Sequence, residues 1–220
     1  MISLYDLHDN PEQLHKHSEA FDTVPALIWD KFRDDPAELK KREDAIAKDA
    51  KYSLAYATHI LQGPFPKGEE AISKSWNLAY TYADEILKGP FPKGEEAIST
   101  HTTEAFLYAK DILKGPFPKG EDAISKRAFY AHEYAAHILQ GPFLKGEETI
   151  SKDAYYSYCY ARSILKKPFP KGEDAIAKNA KFAYLYVRDV LRSRWPKGED
   201  AINEDPEYSN LYNQRFINKP

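Results

Sequence analysis

Apolar positions recur along this chain every 26 residues, and they recur in phase in two separate columns. One column is always isoleucine, at Ile46, Ile72, Ile98, Ile124, Ile150, Ile176 and Ile202. The other is always tyrosine, at Tyr56, Tyr82, Tyr108, Tyr134, Tyr160, Tyr186 and Tyr212. A unit of this length cannot bury its own apolar face, so the pattern predicts units that stack on their neighbours in a tandem array.

Each unit predicts a short helix followed by a longer one. In the second unit the short helix should cover about Glu69–Lys74, because acidic residues in a first turn favour the positive end of the helix dipole. In the longer helix, apolar or small residues from Ser53 to Leu61 follow the spacing of a core-facing stripe. The Ser53 column holds only serine or alanine, so we expect close packing there, with the tyrosine ladder in the core.

The ends of the longer helices carry capping signals. Side chains that suit the first position of a cap are Asp49, Ser75, Asp153, Asn179 and Asp205. His101 and Arg127 occupy the same column and suit it less well. Each longer helix should end near Gln62 or its equivalents. We expect the following Gly63 to adopt the left-handed conformation, with proline blocking continuation.

These signals predict an all-α protein, a right-handed α-solenoid of seven 26-residue helix-turn-helix repeats with an N-terminal helical cap. Residues 1–40 should form the N-terminal capping hairpin, with one helix starting at Asn10-Pro11 and another over Ala26–Arg33. Residues 41–220 should hold the seven repeats. The last repeat reads as a C-terminal cap, because Asn213 and Phe216 break its columns.

Composition narrows the classes of function. The chain has 31 basic and 34 acidic residues and a net charge of -3, which argues against an electrostatically driven nucleic-acid binder. Its single cysteine, Cys159, excludes an internal disulfide framework and a cysteine-cluster metal site. No apolar run is long enough to span a bilayer, and the first residues carry no secretory signal. We therefore expect a cytoplasmic protein that does not interact with membranes.

Groups that could perform chemistry follow the repeat and do not converge on one site. Paired acidic residues stand at the start of all seven short helices, which is a helix-start preference. The histidines show no metal-binding spacing, and the glycine-containing loops do not match a phosphate-binding loop. The sequence predicts a chain that is not an enzyme, with no metal, no cofactor and no small-molecule substrate.

Function is expected on the columns that vary between repeats, because uniform columns serve the stack. On the longer helices the variable columns are those of Ala55, Thr58, His59 and Gln62, with a mostly aromatic column at their border. The predicted protein-binding residues are Leu107, Lys110, Tyr158, Arg162, Tyr184, Leu185 and Arg188. The alternative is a helical repeat that reads single-stranded RNA by stacking, although the net charge makes nucleic acid the weaker hypothesis.

The motif from Pro66 to Ile72, followed by Tyr82-Ala83 and the segment from Ile86 to Gly89, resembles short tandem repeats in uncharacterised phage and bacterial proteins. It is also similar in kind to helical repeats of about 25 residues, of unknown function, in giant viruses. The resemblance implies an α-helical repeat protein of viral origin. It further implies a phage protein that modulates a host protein or defence system in the host cytoplasm, and it supplies no catalytic residues.

Overall fold

The computed structural model describes residues 24–218, and all regular structure in that range is helical. Before the repeats lie α1 (Pro25–Phe32) and α2 (Pro36–Lys41). The first helices of the repeats are α3 (Glu43–Ile46), α5 (Glu69–Ile72), α7 (Glu95–Ile98), α9 (Glu121–Ile124), α11 (Glu147–Ile150), α13 (Glu173–Ile176) and α15 (Pro196–Glu204). The second helices begin with α4 (Ala50–Ala55), α6 (Trp76–Thr81), α8 (Thr102–Leu107), α10 (Ala128–Glu133), α12 (Ala154–Cys159), α14 (Ala180–Tyr186) and α16 (Pro206–Tyr212). The all-α helical repeat fold is confirmed, and the handedness of the array stays a prediction.

Each second helix widens into a π-helix in its C-terminal half. The π-helical segments are Tyr56–Leu61, Tyr82–Leu87, Tyr108–Leu113, Tyr134–Leu139, Tyr160–Leu165, Val187–Leu191 and Asn213–Ile217. In the first of them the N–H of Gln62 donates to the carbonyl of Ala57, five residues back. A π-turn often marks a functional site when it occurs once. Here it occurs in every repeat, so it belongs to the fold.

The first six second helices end on a left-handed residue that is not the glycine we expected, and the seventh ends at Asn218 with φ -88°. Gln62 has φ 51° and ψ 39°, and no glycine has a positive φ. The equivalent left-handed residues are Lys88, Lys114, Gln140, Lys166 and Arg192. The π-turn places the chain reversal one residue before Gly63, and Pro64 favours extended backbone at that glycine. Both Gln62 and Gly63 donate their N–H groups to the carbonyl of Ala57, which closes the helix end.

Most of the predicted N-terminal caps are confirmed. The carboxylate or amide oxygens of four residues accept hydrogen bonds from backbone N–H groups of the second helices, and these are Asp49, Asp153, Asn179 and Asp205. The prediction for Ser75 is wrong. Its hydroxyl lies 2.6 Å from the Asn77 side-chain oxygen, and that oxygen accepts the N–H of Leu78 at 3.0 Å. The side chain of Asn77, the second residue of α6, thus takes the place of the expected Ser75 cap.

The chain folds as two compact units, Met1–Ile98 and Ser99–Pro220. The predicted boundary after residue 40, where the repeat pattern begins, stays a prediction. In the first unit α1 packs on the first repeat, with Ile28 buried and the Trp29 ring 6.3 Å from that of Tyr52. The helix α1 agrees with the predicted Ala26–Arg33 to within one residue at each end. The other helix expected in the hairpin, at Asn10-Pro11, lies outside the described residues.

The tyrosine ladder forms the core, as predicted, and in five repeats the tyrosine hydroxyl joins a backbone N–H to a carboxylate. All seven of these tyrosines are at most 1% exposed. In the second unit the hydroxyl of Tyr160 accepts the N–H of Phe143 at 2.9 Å and donates to the Glu147 carboxylate at 3.3 Å. The same carboxylate binds Lys171 of the next loop at 2.7 Å, and Phe169 of that loop lies against the tyrosine ring. One tyrosine therefore connects two consecutive loops.

The second glycine of each loop is required by close packing. A methyl group at Gly146 would lie 2.6 Å from the Phe143 ring and 2.7 Å from the methyl of Ala131 on the preceding second helix. Ala131 stands in the column that holds only serine or alanine. The predicted close approach is confirmed, and the partner of each small residue is the loop glycine of the next repeat.

The last repeat makes the same contacts with substitute residues. Glu199 receives two hydrogen bonds from Arg194 of its own loop, at 2.6 and 3.0 Å, where other repeats use the lysine of the following loop. The Tyr212 ring packs on Phe216 of its own helix at 5.4 Å, where the other repeats use a phenylalanine or, in the sixth, Trp195 of the following loop. The repeat thus completes its own core, and its role as a cap stays an interpretation.

Candidate protein-binding face

All seven predicted binding residues lie in the second unit, on the second helices of its repeats. Two of them are not surface residues, because Tyr158 and Tyr184 are 4% and 6% exposed. The Tyr158 ring stacks on Phe182 at 6.1 Å, and its hydroxyl donates to Asp189 at 2.6 Å. The Tyr184 ring lies 5.8 Å from that of Tyr208. The prediction that these rings reach the rim is wrong, because each packs against an aromatic ring of the next repeat.

The other five predicted residues remain accessible. Lys110 and Arg162 are exposed, and Leu107, Leu185 and Arg188 are half-buried. The structure brings Arg162 and Arg188 together across consecutive repeats, through Tyr158 and Asp189. Leu107 and Lys110 lie on α8 and its π-helical continuation, two repeats before Arg162 and three before Arg188. We define the face as the solvent side of these second helices within the second unit.

Sequence reasoning missed two aromatic residues on this face. Phe129 is 46% exposed and Tyr155 is 48% exposed, at the N-terminal ends of α10 and α12. Their rings lie edge-on to Tyr130 and Tyr156, at 4.9 and 5.0 Å between ring centres. The Tyr156 ring is also 6.4 Å from that of Phe129, so the rings run from one repeat to the next. The sequence could have identified Phe129 and Tyr155, because the equivalent residues of the other five repeats are all polar. These are Lys51, Asn77, Thr103, Lys181 and Glu207.

A hydrogen-bonded network of arginines lies toward the C-terminal ends of the same helices. Arg188 donates to both oxygens of Asp189, at 2.6 and 2.8 Å, and Arg162 donates to the Tyr158 hydroxyl at 3.1 Å. The bonds from Arg188 lower the pKa of Asp189 to about 2, with a further contribution from the Tyr158 hydroxyl. Asp189 is therefore ionised at all physiological pH values, and it holds Arg188 in a fixed orientation.

Next to this network the surface forms an open depression. Its walls are Arg162, Arg188, Asp189, Arg192, Arg215 and Phe216. Arg192 ends the sixth repeat's second helix, and Arg215 belongs to the seventh. Neither guanidinium has a carboxylate within ion-pair distance among residues 24–218. We call this site the arginine depression.

Within residues 24–218, the remaining titratable groups do not form a second site. Burial raises the pKa of the Cys159 thiol, so the thiolate needed for nucleophilic chemistry is disfavoured. The Nδ1 atom of His132 lies 3.1 Å from Glu133, while its Nε2 atom is buried without a hydrogen-bond partner in the described structure. Within residues 24–218 no three histidine, cysteine or acidic side chains are grouped closely enough to hold a metal ion. In that same range, no helix combines the length and the apolar character that crossing a membrane requires.

The chain matches no protein family model, no curated protein and no solved structure. The chemistry of the face itself therefore carries what can be inferred about function. That face combines exposed aromatic rings at one end of the second helices with the arginine depression at the other.

Proposed function

We propose that this chain is a non-catalytic helical repeat scaffold that binds a partner protein through the face of its second unit. The observation that carries the proposal is the exposure of Phe129 and Tyr155 on the same helix surface as Arg162 and Arg188. Aromatic residues and arginine are the residues most enriched at protein interfaces and at their energetic hot spots.

The exposed rings are not needed for the stack. Other repeats pack in the same way with lysine, asparagine or threonine in that column. A ring of this size buries about 200 Å² when covered completely. The exposed half leaves roughly 100 Å², whose burial by a partner would contribute about 2.5 kcal/mol per ring. Two adjacent rings of this kind can thus anchor an interface.

Single-stranded RNA is the second candidate ligand, because bases can stack on exposed rings such as Phe129 and Tyr155 while arginines contact phosphates. The net charge of -3 opposes it, and so does Asp111, which interrupts any basic stripe along the same helices. A protein partner requires no such stripe and is the function that we favour. The further proposal of a phage protein acting on a host protein or defence system in the cytoplasm depends on the sequence resemblance alone.

Affinity capture from a bacterial lysate tests the proposal. The wild-type chain should retain a protein partner, and Phe129→Ser with Tyr155→Ser should lose it. The matched control is Lys181→Ser, which changes an exposed residue of the same column and should retain the partner. Circular dichroism should show the same helical content for all three proteins at 25 °C. The double variant should melt at a lower temperature than the other two, because the half of each ring that packs on the fold is also lost.

Three results would contradict this proposal. One is capture of the same partner by the double variant, which would exclude the face. Another is tight binding of random single-stranded RNA that weakens steeply with salt, which would favour the RNA alternative. Turnover of a small molecule by the purified chain would also contradict a non-catalytic scaffold.

A further inference from the structure

The arginine depression concentrates positive charge on a chain whose net charge is negative. Four guanidinium groups and one carboxylate line it, so three positive charges are uncompensated locally. Asp189 already receives two hydrogen bonds from Arg188 and one from Tyr158. It has little remaining capacity to neutralise Arg192 and Arg215, which are exposed and have no carboxylate partner within residues 24–218.

The fold does not require this charge. In the first unit the columns of Arg188 and Arg215 hold Asp84 and Glu85 in the second repeat, and that repeat has the same helices and the same π-turn. The column of Arg192 holds glutamine in two other repeats. Arginine at these positions is therefore particular to the last repeats, and stacking does not explain it.

We propose that the arginine depression binds an acidic segment of the partner protein, with neighbouring carboxylates on Arg192 and Arg215 and an apolar side chain against Phe216. This inference rests on the proposed function and names the chemistry of its partner. The guanidinium group presents paired N–H donors that match both oxygens of a carboxylate. The Phe216 ring adds an apolar wall to the same depression, with the Arg215 guanidinium 5.7 Å from the ring centre.

The size of the site fits a short segment. The lining residues come from three consecutive repeats. With helices packed roughly 8–10 Å apart, they span about 16–20 Å. An extended peptide covers about 3.3 Å per residue, so five or six residues cross the depression.

Charge distribution favours carboxylates on a short segment over a phosphate polymer. The positive field of the depression extends only about one Debye length, roughly 8 Å at physiological salt. A long polyanion would extend beyond this field, on a chain whose net charge is -3. A short acidic segment interacts with the arginines alone.

Fluorescence anisotropy with a labelled octapeptide containing four glutamates, one leucine and otherwise glycine and serine tests the inference. The counterpart with four glutamines is the uncharged probe. The wild-type chain should bind the glutamate peptide and not the glutamine peptide. Arg192→Gln combined with Arg215→Gln should weaken binding at least ten-fold. Glutamine occurs naturally in the Arg192 column, so the fold should tolerate it.

The matched control is Lys88→Gln, which changes the residue of the Arg192 column in the first unit, with the same left-handed backbone. It should leave the affinity for the glutamate peptide unchanged. Equal binding of the glutamine peptide, or unchanged affinity in the double arginine variant, would overturn the inference. Tighter binding of a phosphoserine peptide or of a ten-nucleotide uridine RNA would also overturn it, because the preferred ligand would then be a phosphate.

Different results would refute the acidic-segment proposal and the proposed scaffold function. If partner capture depends on Phe129 and Tyr155 while the glutamate peptide does not bind, the scaffold function stands and the acidic segment is wrong. If the peptide binds through Arg192 and Arg215 while capture does not depend on the two rings, the arginine depression stands and the proposed interface is wrong.

Discussion

Removing one tyrosine hydroxyl from the ladder should leave a buried backbone amide without a partner. In Tyr160→Phe the ring stays packed on Phe169, with ring centres 5.2 Å apart, so no cavity opens. The lost hydroxyl is the acceptor of the Phe143 N–H and the donor to the Glu147 carboxylate. The variant therefore separates hydrogen bonding from packing.

The expected loss of stability is about 2–3 kcal/mol. The lost hydrogen bonds contribute about 1 kcal/mol in total, and an unpaired N–H in a buried place adds about 1–2 kcal/mol. Phe143 is buried, so water cannot readily replace the hydroxyl. The Glu147 carboxylate keeps its bond to Lys171 at 2.7 Å and adds little. For a chain of this length the melting temperature should fall by roughly 4–12 °C.

The control is Tyr156→Phe on the same helix, because the hydroxyl of Tyr156 has no hydrogen-bond partner in the described part of the chain. It should change the free energy of unfolding by less than about 0.5 kcal/mol. Thermal melts and urea denaturation of both variants measure the difference, and amide hydrogen exchange at Phe143 should quicken only in Tyr160→Phe. Melting temperatures within 1 °C of each other for both variants would refute the assigned role of the hydroxyl.

The loop glycines, the left-handed helix ends and tyrosine ionisation each give another test. By urea denaturation, Gly146→Ala should destabilise by about 1–3 kcal/mol, because its methyl would lie 2.7 Å from that of Ala131. Gly141→Ala should change stability by less than about 0.5 kcal/mol, since its methyl would meet only a carbonyl oxygen at 3.7 Å. Lys114→Gly, at φ 52°, should stabilise by about 1 kcal/mol, since left-handed backbone disfavours a residue with a Cβ atom. Burial raises the pKa of four ladder tyrosines to about 12. The unfolded chain loses these protons near pH 10, so the contribution of these tyrosines to stability should be constant below that pH and be lost between about pH 10 and 12. The slope is at most about 1.4 kcal/mol per pH unit for each tyrosine, and melts at pH 9 and 11 measure it.

The sequence predicts the repeat because every unit must meet the same neighbour. Ile124 and Tyr134 each occupy a core position that recurs 26 residues later, so periodicity alone identifies the core and the helical units. The π-turn could not be predicted, because a glycine followed by proline signals a helix end whichever residue reverses the chain. A hint existed in Lys167 and Ser193, which replace the Gly63-type glycine in two repeats and show that this position does not require glycine.

The candidate face was predicted only in part, and the reason is geometric. Variation between repeats identified Arg162 and Arg188 as candidates. It did not show that Tyr158 lies beneath them, because an aromatic column at the border of a helix stripe can turn to either side. The proximity of Arg192 and Arg215 depends on where consecutive π-turns end, and the spacing along the chain does not contain that information.

The last repeat shows that the core contacts of the stack are kept, whereas the residue types on the face vary between repeats. Where the following loop's lysine and phenylalanine are missing, Arg194 and Phe216 make the same kinds of contact with the ladder. The core contacts are thus kept even when their residues change. On the face, by contrast, Asp84 and Arg188 occupy the same column with opposite charge, and both repeats form the same helices. Charge at that position has no role in the stack. The concentration of positive charge around the arginine depression is therefore the basis of the proposed binding of an acidic segment.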